Sequence, residues 1–324
     1  MGVPTNTVET YDRIGIREDL ADVIYNIAPT ETPFISNAAT GSASQTLHEW
    51  QTDGLAAVAA NAQKEGDDHA LESRAATVRL GNYTQISTKV VGVSGTDQTV
   101  KNAGRGDELA YQLAKAGKEI KRDIEHANIG VENAKAAGAS GTARESASVG
   151  TWYGGNIAGT SSAAGNFATN GSPSASPAGT GATAIAGGTN RTYTETLLKA
   201  GLKKCYELGG NPDVVLMTAS HKQLASAFNG VATLYKNVDD KTVIGAVDVY
   251  VSDFGEVNFV PDRYQQANRV DILEMDKWEV SYLRPFQTKE LASSGDNDKR
   301  LLVTEWTLTA RSPNANYGIF NLTA

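Results

Sequence analysis

The residues best equipped for chemistry are scattered. The four histidines, His48, His69, His126 and His221, fall in four separate segments, and none stands at metal-ligand spacing. Glu65, Asp67 and Asp68 gather around Gly66 and could attract a cation. Calcium loops, however, alternate their oxygen ligands at fixed positions, which this run does not do, so solvated loop charge or ion pairs to a neighbouring subunit is the better reading. There is no G-x-S-x-G elbow, no G-x-x-x-x-G-K-[ST] phosphate loop and no glycine-rich strand-to-helix turn of the dinucleotide type. Cys205, the one cysteine, follows Lys203 and Lys204, which could lower its pKa, but an ordinary half-buried helix cysteine is the plainer expectation. Asp271 and Glu274 could in principle move protons, yet strand-surface charge accounts for them. Arg105-Gly106-Asp107 spells an integrin-like tripeptide and Asn190-Arg191-Thr192 a glycosylation sequon. Met1–Arg13 lacks a signal peptide's apolar segment, so the first reads better as a helix cap and the second as inconsequential. The expectation is no catalytic residue, no metal and no cofactor.

The element around which the rest is organised is Asp107–Ala137, the longest stretch with a helical period. Leu109, Leu113, Ala116, Ile120, Ile124, Ala127 and Val131 recur at steps of three and four, which predicts one amphipathic helix about 45 Å long. A rod of that length needs a partner along it, most simply a sheet. Asp107 can cap its first amides, Gly104 and Gly106 break what precedes it, and Gly138 and Gly141 stop it. Lys115 with Glu119 and Lys121 with Glu125, one turn apart, read as solvent-face pairs worth about 0.2–0.5 kcal/mol each.

Along the chain, Gly2–Tyr11 is polar, and Ile16, Leu20, Val23, Ile24 and Ile27 mark a short amphipathic helix that Pro29 ends. Thr46–Gln51 and Ser87–Val93 are strand-like, and the long acidic stretch between them suggests a projecting hairpin or functional loop. Gly138–Thr192 has few large apolar residues and reads as a surface insertion pinned by Trp152 and Tyr153. Helices are expected over Tyr193–Leu208, ended by Gly209-Gly210, and over Ser220–Phe228, with a buried strand over Asp213–Thr218 between them. Beyond Val243, alternation predicts strands at Val247–Val251, Val257–Val260, Val270–Leu273, Trp278–Tyr282 and Leu301–Ala310, with a turn at Gly295–Lys299.

The 324 residues, 40% hydrophobic, can bury one large or two medium cores. A net charge of −8 without a basic patch argues against a dedicated nucleic-acid binder. A single cysteine fits a reducing compartment, and no apolar run reaches the length of a membrane span. Cytoplasmic production is the expectation.

Three runs are recognisable: EWQTDGLAAVAANAQKEGDD (Glu49–Asp68), RLGNYTQISTKVVGVSGT (Arg79–Thr96) and GRGDELAYQLAKAGKEIKRDIE (Gly104–Glu125). Together they resemble the major capsid proteins of a family of tailed bacteriophages with the Hong Kong 97 phage capsid fold. The resemblance is strongest over Tyr11–Glu125 and weakest over Gly138–Thr192. It implies an α+β chain with an N-terminal arm (1–45), an extended hairpin loop that reaches over a neighbour (46–93) and a peripheral-domain spine helix (94–137). A Gly/Ser/Ala-rich insertion (138–192), a mixed axial domain (193–261) and peripheral strands to the C-terminus (262–324) would follow. It further implies self-assembly in hexamers and pentamers into an icosahedral shell, put together in the bacterial host cytoplasm around double-stranded DNA held without sequence-specific contact. A portal protein would be a partner, with room for a decoration protein. The chain begins too close to its arm for a built-in scaffold, so a separate scaffolding protein is implied. No lysine and asparagine pair suggests itself for a covalent cross-link. An acidic wall would let DNA pack without sticking. Trp50, Asp67, Asp68, Arg74, Arg79 and Arg105 are the expected assembly-interface residues. An encapsulin-like nanocompartment shell and a surface or secreted binding module are the alternatives.

Overall fold

The computed structural model of the protein describes residues 30–56, 58–66, 68, 71, 74, 76–100, 106–154, 156–157, 160–161, 166–228 and 248–323. The helix expected over Ile16–Ile27 lies outside the described residues, as do Asp67, His69 and Arg105.

In chain order the elements are α1 (Pro33–Asn37), β1 (Ala39–Ser42), β2 (Leu47–Thr52), β3 (Val78–Tyr83), β4 (Gln85–Ser94), α2 (Gly95–Thr99) and α3 (Glu108–Glu125). They continue as β5 (Phe167–Ala168), α4 (Glu195–Glu207), β6 (Val214–Met217), α5 (Ala219–Ser226), β7 (Val249–Ser252) and β8 (Gly255–Pro261). The last are β9 (Val270–Leu273), β10 (Trp278–Leu291), β11 (Asn297–Ala310) and β12 (Tyr317–Ile319). The helices and strands are mixed, an α+β arrangement.

Two sheets carry the molecule. The first has the order β1-β10-β11-β4 and is built on the long antiparallel hairpin of β10 and β11. Pro285 cannot donate to a ladder, and the pairing slips there, between Tyr282 and Gln287. The helix α3 lies on one face, where Ala116, Ile120 and Ile124 bury against Val280, Leu302 and Trp306. Burying an isoleucine side chain contributes roughly 1.5–3 kcal/mol, which a lone surface helix could not match from propensity. Asp107 caps α3, its carboxylate accepting the Ala110 amide at 3.1 Å.

The second sheet has the order β7-β8-β6-β9-β12-β5. Every residue of β6 (VVLM) and β9 (VDIL) is buried, because α4 covers one face and the 146–153 segment lies in the core behind the other. α4 comes so close that a Cβ on Gly201 would sit 2.5 Å from Ile272 Cδ1. Gly209, at φ +81°, turns the chain out of that helix.

Two expectations are corrected. The long helix does not run to Ala137: it passes into a π-helical turn, His126–Gly130, and ends. Arg269 Nη2 takes the Ile129 carbonyl at 2.7 Å and the Gln266 amide takes it at 3.3 Å, so tertiary donors replace the next helical turn. Gly138 and Gly141 instead shape a small turn in which Ala139 pairs with Thr142. Nor is Gly138–Thr192 merely a surface insertion. Ser146 to Tyr153 is buried throughout, Trp152 and Tyr153 completely, and Phe167–Ala168 joins the second sheet beside β12. The C-terminal strands likewise divide between the sheets, β10 and β11 in the first, β9 and β12 in the second.

Candidate assembly surfaces

The hairpin begins where β2 and β3 pair antiparallel, Leu47 opposite Tyr83 through Thr52 opposite Val78. Its base is clamped to the body. Asn82, fully buried, donates to Ser146 Oγ at 3.0 Å and to the Leu308 carbonyl at 2.7 Å, and accepts the Ala147 amide at 2.9 Å. At the next residue but one the chain leaves the hairpin for the first sheet: Thr84 donates to Glu305 Oε1 at 2.8 Å, and Arg144 and Arg284 hold the same carboxylate at 2.5 and 2.8 Å. The Ser87–Val93 strand therefore belongs to the body, paired with β11, not to the projection. Asn82→Ala strands the Ala147 amide and the Leu308 carbonyl, and is expected to lower stability by about 1–3 kcal/mol in a urea titration of the unassembled chain.

Past Thr52 the chain runs out and returns at Thr77 with little cover. Leu55, Val58 and Leu71 are exposed at 101, 104 and 102% of their reference areas, so none of the described residues covers them appreciably. Residues 53–77 carry five carboxylates against Lys64 and Arg74, a net charge of −3.

Of the expected interface residues, Asp68 and Arg74 are exposed on this projection. Arg79, mostly exposed, pairs with Glu49 at 3.3 Å on the paired part of the hairpin. Trp50 is turned inward: half-buried, it packs against Trp152 with ring centroids 5.3 Å apart. Sequence reasoning misses the three uncovered aliphatics, although the apolar LAAV run inside an acidic stretch is a signal for Leu55 and Val58.

The first sheet leaves the face opposite α3 partly uncovered. On β4, Ile86 and Val90 are 49 and 61% exposed. Leu301 stands opposite Val90, and Lys289 and Lys299 flank it on the same face. At the far end of the second sheet, Tyr206 and Phe254 meet with ring centroids 5.0 Å apart and planes tilted by 30°, and Val249 and Val251 on β7 are also exposed.

Ionisable groups expected at the surface are inside. Glu125 does not pair with Lys121 in solvent; it is fully buried. Asp271 is fully buried too, accepting from Arg269 Nε at 2.9 Å, Gln265 Nε2 at 2.7 Å and Tyr153 Oη at 2.8 Å. Arg269 also binds Glu132. Burial works against the Arg269 charge, but Asp271 and Glu132 outweigh it and hold the guanidinium protonated. Cys205 is buried, which pushes its thiol up to about 12 rather than down, so the neighbouring lysines do not activate it.

The resulting picture is a braced body with an exposed acidic segment that carries uncovered aliphatics, and a partly uncovered sheet face. A family model described as SU10 major capsid protein matches residues 3–323. The major capsid protein of Escherichia phage Phieco32 is 28% identical over 356 aligned positions, covering 99% of this chain and 98% of that protein. The capsid asymmetric unit of cyanophage A-1(L) superposes with a TM-score of 0.66 at 15% identity, over 98% of this chain and 99% of that one. A phage G structure of major capsid proteins with decoration proteins superposes with a TM-score of 0.52 at 9% identity, over 100% of both chains. At such identities the structures speak to fold alone, and the fold is that of phage capsid proteins. With the family match running almost end to end, the chain belongs to the SU10 major capsid protein family.

Proposed function

We propose that each copy of this major capsid protein reaches across its neighbour with residues 53–77, and that this clasp, repeated in hexamers and pentamers, closes an icosahedral shell around the phage genome. The observation that carries the proposal is the trio Leu55, Val58 and Leu71, wholly exposed in the single chain. Extended aliphatic residues without cover favour a partner surface. In a shell protein the partner available in every position is another copy, and contacts repeated over a closed lattice add up to a stability that one interface lacks.

The receiving surface in this reading is the helix-free face of the first sheet. Ile86, Val90 and Leu301 offer apolar contact, and Lys289 and Lys299 complement the acidic projection. The end of the second sheet around Tyr206 and Phe254 serves contacts about the capsomer axes, as the axial domain. The N-terminal arm, residues 1–45, adds a second clasp. A separate scaffolding protein, a portal and double-stranded DNA are the partners this role requires, with assembly in the host cytoplasm. A decoration protein, present in the phage G structure, is a further one. The role is structural rather than catalytic. Family membership sets the phage shell ahead of a nanocompartment or a secreted module.

A cysteine pair tests the clasp. Leu55→Cys with Val90→Cys is expected to give disulfide-linked multimers in assembled particles and none in the unassembled chain, Cys205 being buried. If Leu55→Cys becomes shielded from thiol reagent on assembly but does not link to Val90→Cys, the clasp stands and its receiving face is wrong. If it stays fully reactive in closed particles, the clasp is wrong.

A further inference from the structure

At the end of α3 a buried carboxyl group, Glu125, meets a second one, Asp262. Glu125 is fully buried, and its two oxygens accept the amides of Phe34 and Ile35 at 2.7 and 2.9 Å in the first turn of α1. Asp262, the residue after β8, is 3% exposed and lies within hydrogen-bonding reach of Glu125. Its Oδ1 accepts the Tyr264 amide at 2.8 Å, while the buried Oδ2 meets no donor.

Among the described residues the surroundings supply little compensating charge. From α1 (PFISN) comes no titratable side chain. From the loop after β8 come Arg263, exposed, and Tyr264. On α3 the closest cation in sequence is Arg122, one turn back, over the Tyr264 ring at 5.9 Å; His126, next in the chain, is exposed. Beyond the π turn the Arg269 guanidinium is already bound to Glu132 and Asp271. Two bare carboxylates buried side by side repel, and a carboxylate oxygen can only accept. The orphan Asp262 Oδ2 gains a partner when a proton sits between the two groups.

We propose that Glu125 and Asp262 share one proton at neutral pH and so form a latch that ties the start of α1, the end of α3 and the second sheet into one junction. Burial, reinforced by the hydrogen bond to Asp262 and its charge, pushes Glu125 up to about 9, and burial raises Asp262 as well. The folded chain therefore keeps a proton that the unfolded chain releases in the ordinary carboxylate range. Because the folded state binds the extra proton, stability falls as pH rises from that range to about 9 and levels off above it, the reverse of a salt-bridged carboxylate. Loss of the proton drives the loop after β8 away from α3, and the π turn at His126–Gly130 is where the helix end can yield.

Asp262→Asn tests the latch, since the amide supplies a donor toward Glu125 while its oxygen keeps the Tyr264 amide. The melting temperature of the unassembled full chain is expected to drop by about 5 °C or more between neutral pH and about pH 9, and that drop should vanish in Asp262→Asn. Infrared spectroscopy of the unaltered chain should show the carbonyl band of a protonated buried carboxyl at neutral pH, lost near pH 9 and absent from the variant. Equal pH dependence in both proteins, or no such band in the unaltered chain, overturns the proposal. The infrared result decides the matter even if the variant does not fold.

Discussion

Arg269→Ala is expected to destabilise the unassembled chain by about 3–5 kcal/mol, because it leaves two buried carboxylates facing each other without their cation. The side chain is fully buried and makes contacts in three directions: to Glu132, to Asp271 at 2.9 Å and to the Ile129 carbonyl at 2.7 Å. Removing it uncovers the charge of Asp271, strands the helix-ending carbonyl and opens a cavity, and these costs fall on the junction of both sheets. Set against a total stability of about 5–15 kcal/mol, the loss threatens folding itself. Urea unfolding should move to a lower midpoint with little change in slope. Arg269→Lys keeps the charge but not the planar fork, and an intermediate loss is expected. A loss under about 1 kcal/mol for alanine would mean that water reaches the cluster and the ion pairs are weak.

Replacing Leu55, Val58 and Leu71 together with aspartate should produce the opposite pattern. In the single chain these side chains touch almost nothing, so the thermal melt of the unassembled protein is expected to stay within about 0.5 kcal/mol of the unaltered one. Assembly is where the change acts. Each aliphatic side chain fully buried at a contact contributes roughly 1.5–3 kcal/mol, and the aspartates add charge to a projection that is already acidic. Three lost contacts per subunit, repeated around every capsomer, should reduce closed particles by more than tenfold in sedimentation and electron microscopy. Normal particle yield would remove the clasp from the assembly mechanism, and a collapsed melt would show that the projection folds onto its own body. Reversing charge at Asp67 and Asp68 alone should have a smaller effect that fades with salt.

Much of the fold was legible because much of it rests on local pattern. Asp107 stands where a cap is needed, and Ala116, Ile120 and Ile124 recur at the helical period. The strands of the last third alternate or run apolar as their positions in the sheets require. The resemblance of Glu49–Asp68, Arg79–Thr96 and Gly104–Glu125 to phage capsid proteins carried the identity, and the family match agrees with it. The surroundings of the candidate contact residues are less legible: Trp50 packs against Trp152 of its own chain, a partner 102 positions away. The buried stretch before Trp152 was read as surface because its residues are small, yet Ala147 and Ser148 are small because large rings pack nearby.

What the sequence by itself determined is whatever depends on neighbours three or four residues apart, or two in a strand: where helices begin, which faces are apolar, where turns fall, and to which family the chain is akin. Tertiary structure alone decided where α3 stops, which carboxylates lie inside and which aliphatics stay uncovered. Arg269 captures the Ile129 carbonyl from 140 positions away, Glu125 holds amides 90 and 91 positions away, and Leu55 stays fully exposed among the described residues. Burial of a charge costs or stabilises according to what stands beside it in space, and sequence spacing is silent on partners so remote.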